Sequence, residues 1–387
     1  MRVLYIDIEG GFGGSSRSLY YMVAALDRTQ VEPTVWHRTS GPISQRLDQI
    51  GIAHRVEPRI ASIIPRARNN WKIWLASAPR LLRLPALARS IREFAPDLLH
   101  LNYEGLVPLH IALCRGGAHI PTVMHVRTMS PANAIYRAYA RHINSHIDHL
   151  IFITENERGR AEAAGVDLGR VGGTVLYNPT SAESLAADEK PIHTGPLRIV
   201  FLGTLDLPRG PDRLIGLAAE LRRQDIPCRI DCYGGAQRYR KLFLFPHRTL
   251  EELRARVHAE DLGDRIVFHG HVSGPEAILH NADLLIRPAR AGDPWGRDVI
   301  EALAHGTPVL ATGTYDRFVR PGETGFLFET WDDAAIASVI RTLSANRALL
   351  RRLSDNARTL ARRLFDPAPY GARIVDIYDR VLAARRP

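Results

Sequence analysis

Short apolar runs alternate along the chain with stretches in which apolar residues recur every three or four positions. The runs Val3–Asp7, Val31–His37, Asp97–Leu101, Thr122–His125, His149–Ile153 and Thr174–Leu176 predict strands. After the first of them, Leu19, Met22, Val23 and Leu26 fall at i, i+3, i+4 and i+7, which predicts a helix with one apolar face. Helical stretches lie between most of the other runs. Such alternation implies parallel strands joined by right-handed crossovers. The pattern stops around Asn178–Pro196, where Ser181–Lys190 is polar and Ala-rich and prolines stand on both sides. It then restarts with Arg198–Leu202, a helix over Pro211–Arg223, and strands at Cys228–Tyr233, Arg265–Phe268, Leu284–Arg287 and Val309–Thr312. The last forty or so residues read as helical, with Pro367–Pro369 predicted to break them before a final helix, Tyr370–Ala384. The expectation is an α/β protein of two Rossmann-like domains, 1–180 and 197–367, joined by a linker at 181–196. Their parallel sheets are expected to face a deep cleft, since such sheets bind ligands beyond their strand C-termini.

Composition narrows the setting. A chain of 387 residues has room for two domains. The cysteines Cys114, Cys228 and Cys232 are too few and odd in number for a disulfide framework, which points to a reducing compartment. Met1–Ile8 reads as a first strand and not as a signal peptide, and no apolar run approaches the roughly 20 residues of a membrane span, so a cytoplasmic location is expected. The formal charge of +10 favours an anionic partner without selecting among membrane, phosphorylated substrate and nucleic acid. No recognition motif supports nucleic acid. Within Ile60–Arg92 there are Arg66, Arg68, Lys72, Arg80, Arg83, Arg89 and Arg92 but no acid, and Trp71, Trp74 and Leu75 share a helical spacing. This stretch reads either as a contact with an anionic bilayer or as a solvated basic helix.

Four segments carry candidate chemistry. Seven residues separate Asp293 from Glu301, across a loop and the start of a helix near Gly296. Open N–H groups at such a helix start suit a phosphate. Side chains tilt toward the helix N-terminus, so Glu301 can point at the same pocket as Asp293 and accept from vicinal sugar hydroxyls. The alternative for Glu301 is plain support of the helix dipole. In Phe201–Gly210, Gly203 permits a sharp turn, and Arg209 either clamps a diphosphate or is a solvated surface residue. Tyr233-Gly234-Gly235 is a third post-strand loop. Gly10–Arg17, with Gly13, Gly14 and Arg17, opens a helix but lacks the last glycine of a dinucleotide fingerprint and a ribose-binding acid near His37. It reads as a close approach of ligand to backbone or as a structural turn.

Gly10–Arg17, Pro96–Asn102, Leu176–Asn178, Phe201–Gly210, Asp293–Pro308 and Gly322–Phe328, in the expected order and spacing, resemble the retaining family-four glycosyltransferases of the GT-B fold. The likeness runs over nearly the whole chain. It implies that Asp293, one methylene shorter than the usual Glu, contacts the donor sugar, and that Glu301 holds the donor ribose. Backbone N–H groups around Trp295, Gly296 and Arg297 would meet the sugar and phosphate. Thr204 stands where the family usually has Arg and Arg209 where it has Lys, so Arg209 carries more of the diphosphate charge. Gly203 and Gly234 line the donor side. His125, in Met124-His-Val-Arg127, matches a histidine that faces the reacting sugar; the residue alone also reads as a satisfied core histidine. Arg127 and Asn102 fall on the acceptor side with Gly13, Gly14 and Arg17. Asn281-Ala-Asp283 also fits the family pattern. The resemblance implies residues 368–387 crossing back onto the N-terminal domain, a nucleotide-diphosphate sugar as co-substrate, a glycan or lipid-linked acceptor, and metal-independent retaining transfer. No D-x-D triplet occurs. The Thr204 and Asp293 departures keep two other readings open: a non-catalytic sugar-nucleotide scaffold and a sugar-nucleotide epimerase of the same fold.

Overall fold

The computed structural model describes residues 1–65, 71–117, 119–128, 130–187, 189–191, 193–235, 250–272, 274–290 and 295–384; the side chains of 71–74 and 76 are outside the description. The backbone divides into two compact units, one of Met1–Pro179 with Pro367–Pro387, the other of Thr180–Asp366.

Seven parallel strands form the sheet of the first unit: β1 (Arg2–Asp7), β2 (Glu32–His37), β3 (Ala53–Val56), β4 (Leu98–Leu101), β5 (Thr122–Val126), β6 (His149–Phe152) and β7 (Gly173–Val175). Their spatial order is β3-β2-β1-β4-β5-β6-β7. Val3, Leu4, Tyr5 and Ile6 are all buried, as a central strand covered on both faces requires. The order reverses between β1 and β4, and the connections there leave in opposite directions, which opens a crevice beyond the strand ends. β3 is absent from the sequence reading because Ala-His-Arg-Val, at the sheet edge and mostly exposed, carries almost no apolar pattern.

The second sheet has six parallel strands: β8 (Leu197–Leu202), β9 (Cys228–Tyr233), β10 (Ile266–Gly270), β11 (Leu284–Arg287), β12 (Val309–Thr312) and β13 (Gly325–Phe328). Their order is β10-β9-β8-β11-β12-β13, with the reversal between β8 and β11. β13 is short and was legible only as part of Gly322–Phe328; a Cβ on Gly325 would lie 2.0 Å from the Val309 carbonyl, so a glycine is needed for this pairing. Inside the stretch read as a linker, Ser181 accepts from the Ser184 N–H at 3.0 Å and caps a short helix, Ala182–Ala186.

The preceding helix ends at Phe365 and the last runs Pro367–Ala383, so the expected break falls at Asp366 and the final helix starts three residues earlier than Tyr370. Pro367 and Pro369 occupy its first turn, where a missing N–H leaves nothing unpaired, so the prolines open the helix. Tyr370, Ile374, Val375, Ile377, Tyr378 and Val381 are buried against Val3, Tyr5, Leu19 and Met22 of the first unit. At about 1.5–3 kcal/mol for each fully buried aliphatic side chain, this face holds the helix firmly. Gly371 permits the approach, since a Cβ there would lie 2.1 Å from the Ala25 carbonyl.

The basic stretch forms two helices, Trp71–Leu81 and Leu84–Phe94. The second buries Leu84, Leu87, Ala88 and Ile91, whereas Leu75 and Leu82 are 61% and 82% exposed. Arg66 and Arg68, and the side chains of Trp71, Lys72 and Trp74, lie outside the described residues. Among the described residues no helix is long and apolar enough to cross a membrane.

Candidate functional site

In the second unit the loops after β8, β9 and β11 converge at the strand ends. A Cβ on Gly234 would lie 1.7 Å from the Gly203 carbonyl, and the Gly203 N–H donates to the Tyr233 carbonyl at 3.1 Å. Only glycine allows backbones this close. Thr204 Oγ1 donates to Asp206 Oδ2 at 2.9 Å, and Asp206 Oδ1 accepts from the Arg209 N–H at 3.2 Å, which closes a tight 3-10 turn over Leu207–Arg209. Gly210 follows with φ +74°, and a Cβ there would meet the Pro288 carbonyl at 2.1 Å. Arg209 is thus fixed at the reversal point, half-buried, beside the end of β11.

Two arginines that the sequence reading did not single out tie these loops together. Arg290 pairs with both carboxylate oxygens of Asp212 at 2.8 Å, and also donates to the Leu207 carbonyl at 2.8 Å. Arg213 donates to the Pro288 carbonyl at 3.1 Å. The bidentate geometry fixes direction as well as distance, which a lysine would not do.

Beyond β11, Gly296 caps the helix Arg297–Ala304. A Cβ on Gly296 would lie 2.5 Å from Asp298 Oδ1, because Asp298 folds back to Arg287 at 2.5 and 2.7 Å. Trp295 is buried against Phe318, edge to face at 6.1 Å, and its Nε1 meets no acceptor among the described residues. Glu301 is 4% exposed and accepts from Arg297 Nη2 at 3.1 Å and Nε at 3.3 Å. This pairing was not foreseen; it is an ordinary i, i+4 contact that the sequence contained. Asp293 lies outside the described residues. Asp283 is at the opposite ends of the strands, where Oδ2 accepts from the Arg198 N–H at 2.7 Å, a purely structural tie.

The first unit builds a different cluster at its own reversal point. Asp7 ends β1 fully buried and accepts from Ser16 Oγ at 2.6 Å and Asn102 Nδ2 at 2.9 Å. Asn102 Oδ1 in turn accepts from Arg127 Nε at 3.0 Å and Nη2 at 2.8 Å, and Asn178 Oδ1 accepts from Nη1 at 2.7 Å. The Arg127 backbone N–H donates to Glu104 at 3.0 Å. Asn102 and Asn178, from two separate segments, therefore hold one guanidinium, and Asp7 fixes Asn102 in turn. Burial pulls its pKa below the ordinary arginine value, with Tyr370, Asp7 and Glu104 opposing that pull. Of its five N–H donors, three are engaged by protein acceptors among the described residues. Gly13 and Gly14 open the neighbouring helix, exposed, and the Arg17 N–H donates to the Gly13 carbonyl at 2.9 Å. The Arg17 guanidinium lies 5.1 Å from the Phe12 ring centre. A Cβ on Gly10 would clash with Thr39, so that glycine serves packing.

His125 lies inside the first unit, at the end of β5. It is fully buried, Nδ1 2.6 Å from His100 Nε2 and Nε2 3.4 Å from the Tyr370 hydroxyl. His100 continues to Tyr378 at 2.5 Å, and Tyr378 donates to Tyr5 at 3.0 Å. Burial pushes both histidines well below their ordinary pKa, with Arg127 adding to it, so both are neutral at pH 7. The helix Pro367–Ala383 supplies the two tyrosines and seals the pair. His125 and Arg127 are two residues apart and share a strand direction, but only Arg127 clears the strand end.

Residues 184–360 match the family model of glycosyl transferases group 1, and residues 13–174 match a glycosyl transferase 4-like domain. The chain is 27% identical over 317 residues to a phosphatidyl-myo-inositol mannosyltransferase of Mycobacterium leprae, covering 79% of this chain and 80% of that protein. It is 27% identical over 208 residues to a D-inositol 3-phosphate glycosyltransferase of Arthrobacter, covering 52% of this chain and 43% of that protein. A crystal structure of Anabaena HepE in complex with UDP-glucose superposes with a TM-score of 0.74 at 19% identity, over 98% of this chain and all of that one.

Proposed function

The chain belongs to the glycosyl transferases of group 1, with the GT-B fold, and from that premise we propose a retaining, metal-independent transfer of a sugar from a nucleoside diphosphate to a glycan or lipid-linked acceptor. The donor sits in the second unit and the acceptor in the first.

One observation carries this reading. Arg209 and the amino end of the helix Arg297–Ala304 stand at the ends of β8 and β11, where the strand order reverses, held there by the Arg290–Asp212 pair. Breaking the anomeric carbon–oxygen bond builds negative charge on the diphosphate and positive charge on the sugar ring. A fixed guanidinium and open helix N–H groups stabilise the leaving phosphates without reorganising. Thr204, Gly203 and Gly234 let the diphosphate approach the backbone, Trp295 to Arg297 supply N–H groups, and Glu301 holds the ribose hydroxyls while Arg297 orients its carboxylate. Asp293 contacts the sugar. In this arrangement the diphosphate charge is met by protein donors, and no divalent cation is required.

In the first unit Arg127 turns its remaining donors toward an anionic or hydroxyl-rich group of the acceptor, with Asn102, Gly13, Gly14 and Arg17 around it. The neutral His125–His100 pair positions Arg127 from below. The relative in Mycobacterium leprae is named for a phosphatidyl-inositol acceptor; a lipid-linked acceptor in glycolipid or polysaccharide synthesis fits the exposed Leu75 and Leu82 beside Arg80 and Arg83, which would rest on the cytoplasmic face of an anionic membrane.

Thermal stability of the purified protein against a panel of nucleoside diphosphates and their sugars, in chelator, tests the donor site. A ligand at 100 times its Kd adds about 2.7 kcal/mol of apparent stability. A rise with one base, and a transferred product whose anomeric configuration matches the donor by NMR, is the expected result. No rise with any base removes the proposal, and donor epimerised without acceptor replaces it.

A further inference from the structure

Away from both strand-end clusters, the helices Val107–Cys114 and Ala134–His146 pack side by side in the first unit, and each carries a pair one turn apart: His110 with Cys114, and His142 with His146. His110 Nδ1 lies 2.8 Å from His142 Nε2, and Cys114 Sγ lies 3.6 Å from His110 Nδ1. The three atoms are all within 4.8 Å of one another.

The surroundings prepare these groups as ligands. Thr122 Oγ1 donates to the Ile120 carbonyl at 2.8 Å, so toward His110 Nε2, at 3.1 Å, it is the acceptor. That contact fixes the ring proton on Nε2 and leaves the lone pair of Nδ1 facing His142 and Cys114, the type of outer contact that orients metal-binding histidines. His146 stacks on the His142 ring at 4.5 Å and 11°, and its Nδ1 donates to the His142 carbonyl at 3.2 Å, which fixes the orientation of that ring. His110 is 2% exposed, but His142 and Cys114 reach the surface, so an ion has a path in.

We propose that His110 Nδ1, Cys114 Sγ and His142 Nε2 form a three-ligand site for a borderline or soft transition-metal cation of the Zn2+ class, with a fourth position for water or an outside ligand. Two imidazoles and a thiolate are the donor set such cations select. Zinc–nitrogen bonds of about 2.0–2.1 Å and zinc–sulfur bonds of about 2.3 Å put tetrahedral ligand atoms about 3.3–3.6 Å apart. The Cys114–His110 separation has this value already; His110 and His142 must open by about 0.5 Å. On binding, the Cys114 thiol releases one proton to solvent, and His142 carries its ring proton on Nδ1 in place of Nε2. The bound cation staples the two helices beside β5, the strand that begins at Thr122 and leads to Arg127. The site stands apart from the transfer chemistry and does not depend on it.

Cobalt(II) is the optical probe. The reduced, tag-free protein, stripped with chelator, is titrated with Co2+ and then with Zn2+. The expected result is one Co2+ per chain, a near-ultraviolet thiolate-to-cobalt absorption that Zn2+ abolishes, and a rise in thermal stability with Zn2+. Cys114→Ser removes the band while far-UV circular dichroism is unchanged; His142→Gln removes it too, as a second variant should the first misfold. Thr122→Val keeps the band and weakens binding about 10- to 100-fold. No band in excess Co2+, or a band that survives in Cys114→Ser and so arises from Cys228 or Cys232, overturns the proposal.

Discussion

The first and second units reverse their strand order after the first strand of each sheet, yet they secure the ends of those strands by different means. The second unit uses charge against charge: Arg290 with Asp212, Arg287 with Asp298, and Arg297 with Glu301. The first surrounds a single arginine, Arg127, with neutral amides and backs it with two uncharged histidines and three tyrosines. One fold therefore secures one set of strand ends with ion pairs and the other with a buried network of amides, rings and a single guanidinium. The pairs in the second unit are direct and local, within one or two loops. The network in the first draws on residues as far apart as Tyr5 and Tyr378, so it depends on the last helix being in place.

This contrast can be broken in four ways, and hydrogen exchange read peptide by peptide reports on each unit separately. The largest effect is expected from Arg127→Ala. It leaves the buried Asn102 and Asn178 amide oxygens and the Asp7 carboxylate without their cation, at a cost of about 3–5 kcal/mol to the first unit. Exchange in peptides of β1, β4 and β5 should rise while β8–β13 stay protected. Equal loosening of both units would contradict the division.

Acidification comes next. The folded-state pKa values of His100 and His125 are depressed, so their stabilising contribution is fully present above the unfolded value near 6.5 and fades as pH falls below it. Between pH 7 and pH 5 each histidine that stays neutral costs roughly 2 kcal/mol. Among the described residues of the second unit the histidine with a depressed value is His305, held to about 4 by burial, with His280 and Lys190 adding to it. The first unit should therefore lose protection earlier in an acid titration, and a simultaneous loss would speak against the neutral network. Glu301→Gln follows. Replacing a charged acceptor by a neutral one at a ribose hydroxyl is worth about 1.5–3 kcal/mol, or roughly 10- to 100-fold in donor affinity by calorimetry; undiminished affinity would free Glu301 from that role. The smallest effect is a gain. Thr204→Arg restores a second cation beside Arg209 and should tighten nucleoside diphosphate binding by about 1 kcal/mol, roughly fivefold, and more at low salt.

Much of this arrangement was legible in the sequence, and the exceptions have physical causes. Apolar runs mark the buried strands well, because both faces of a parallel sheet are covered; they miss β3 and β13, which lie at sheet edges and need little apolar character. The glycines at 203, 210 and 234 could be read as turns, but not that each is required by the backbone of a neighbouring loop. His125 and Arg127 illustrate the limit most clearly. Two residues apart, both polar and at the end of one strand, they differ in what covers them, and the cover for His125 is a helix nearly 250 residues away whose contact with this particular residue has no signature in spacing. Arg290 and Asp212 escaped notice for the same reason: a pair across two loops has no signature in spacing.

The central claim is that the reversal point of the second unit binds the donor. Hydrogen exchange of the full chain, with and without the nucleoside diphosphate sugar that most raises its thermal stability, tests this directly. The expected result is slowed exchange confined to peptides spanning 203–213 and 287–301, requiring about 10- to 100-fold more ligand in Glu301→Gln. Protection that appears instead at the strand ends of the first unit, or in neither unit despite saturating ligand, would contradict it.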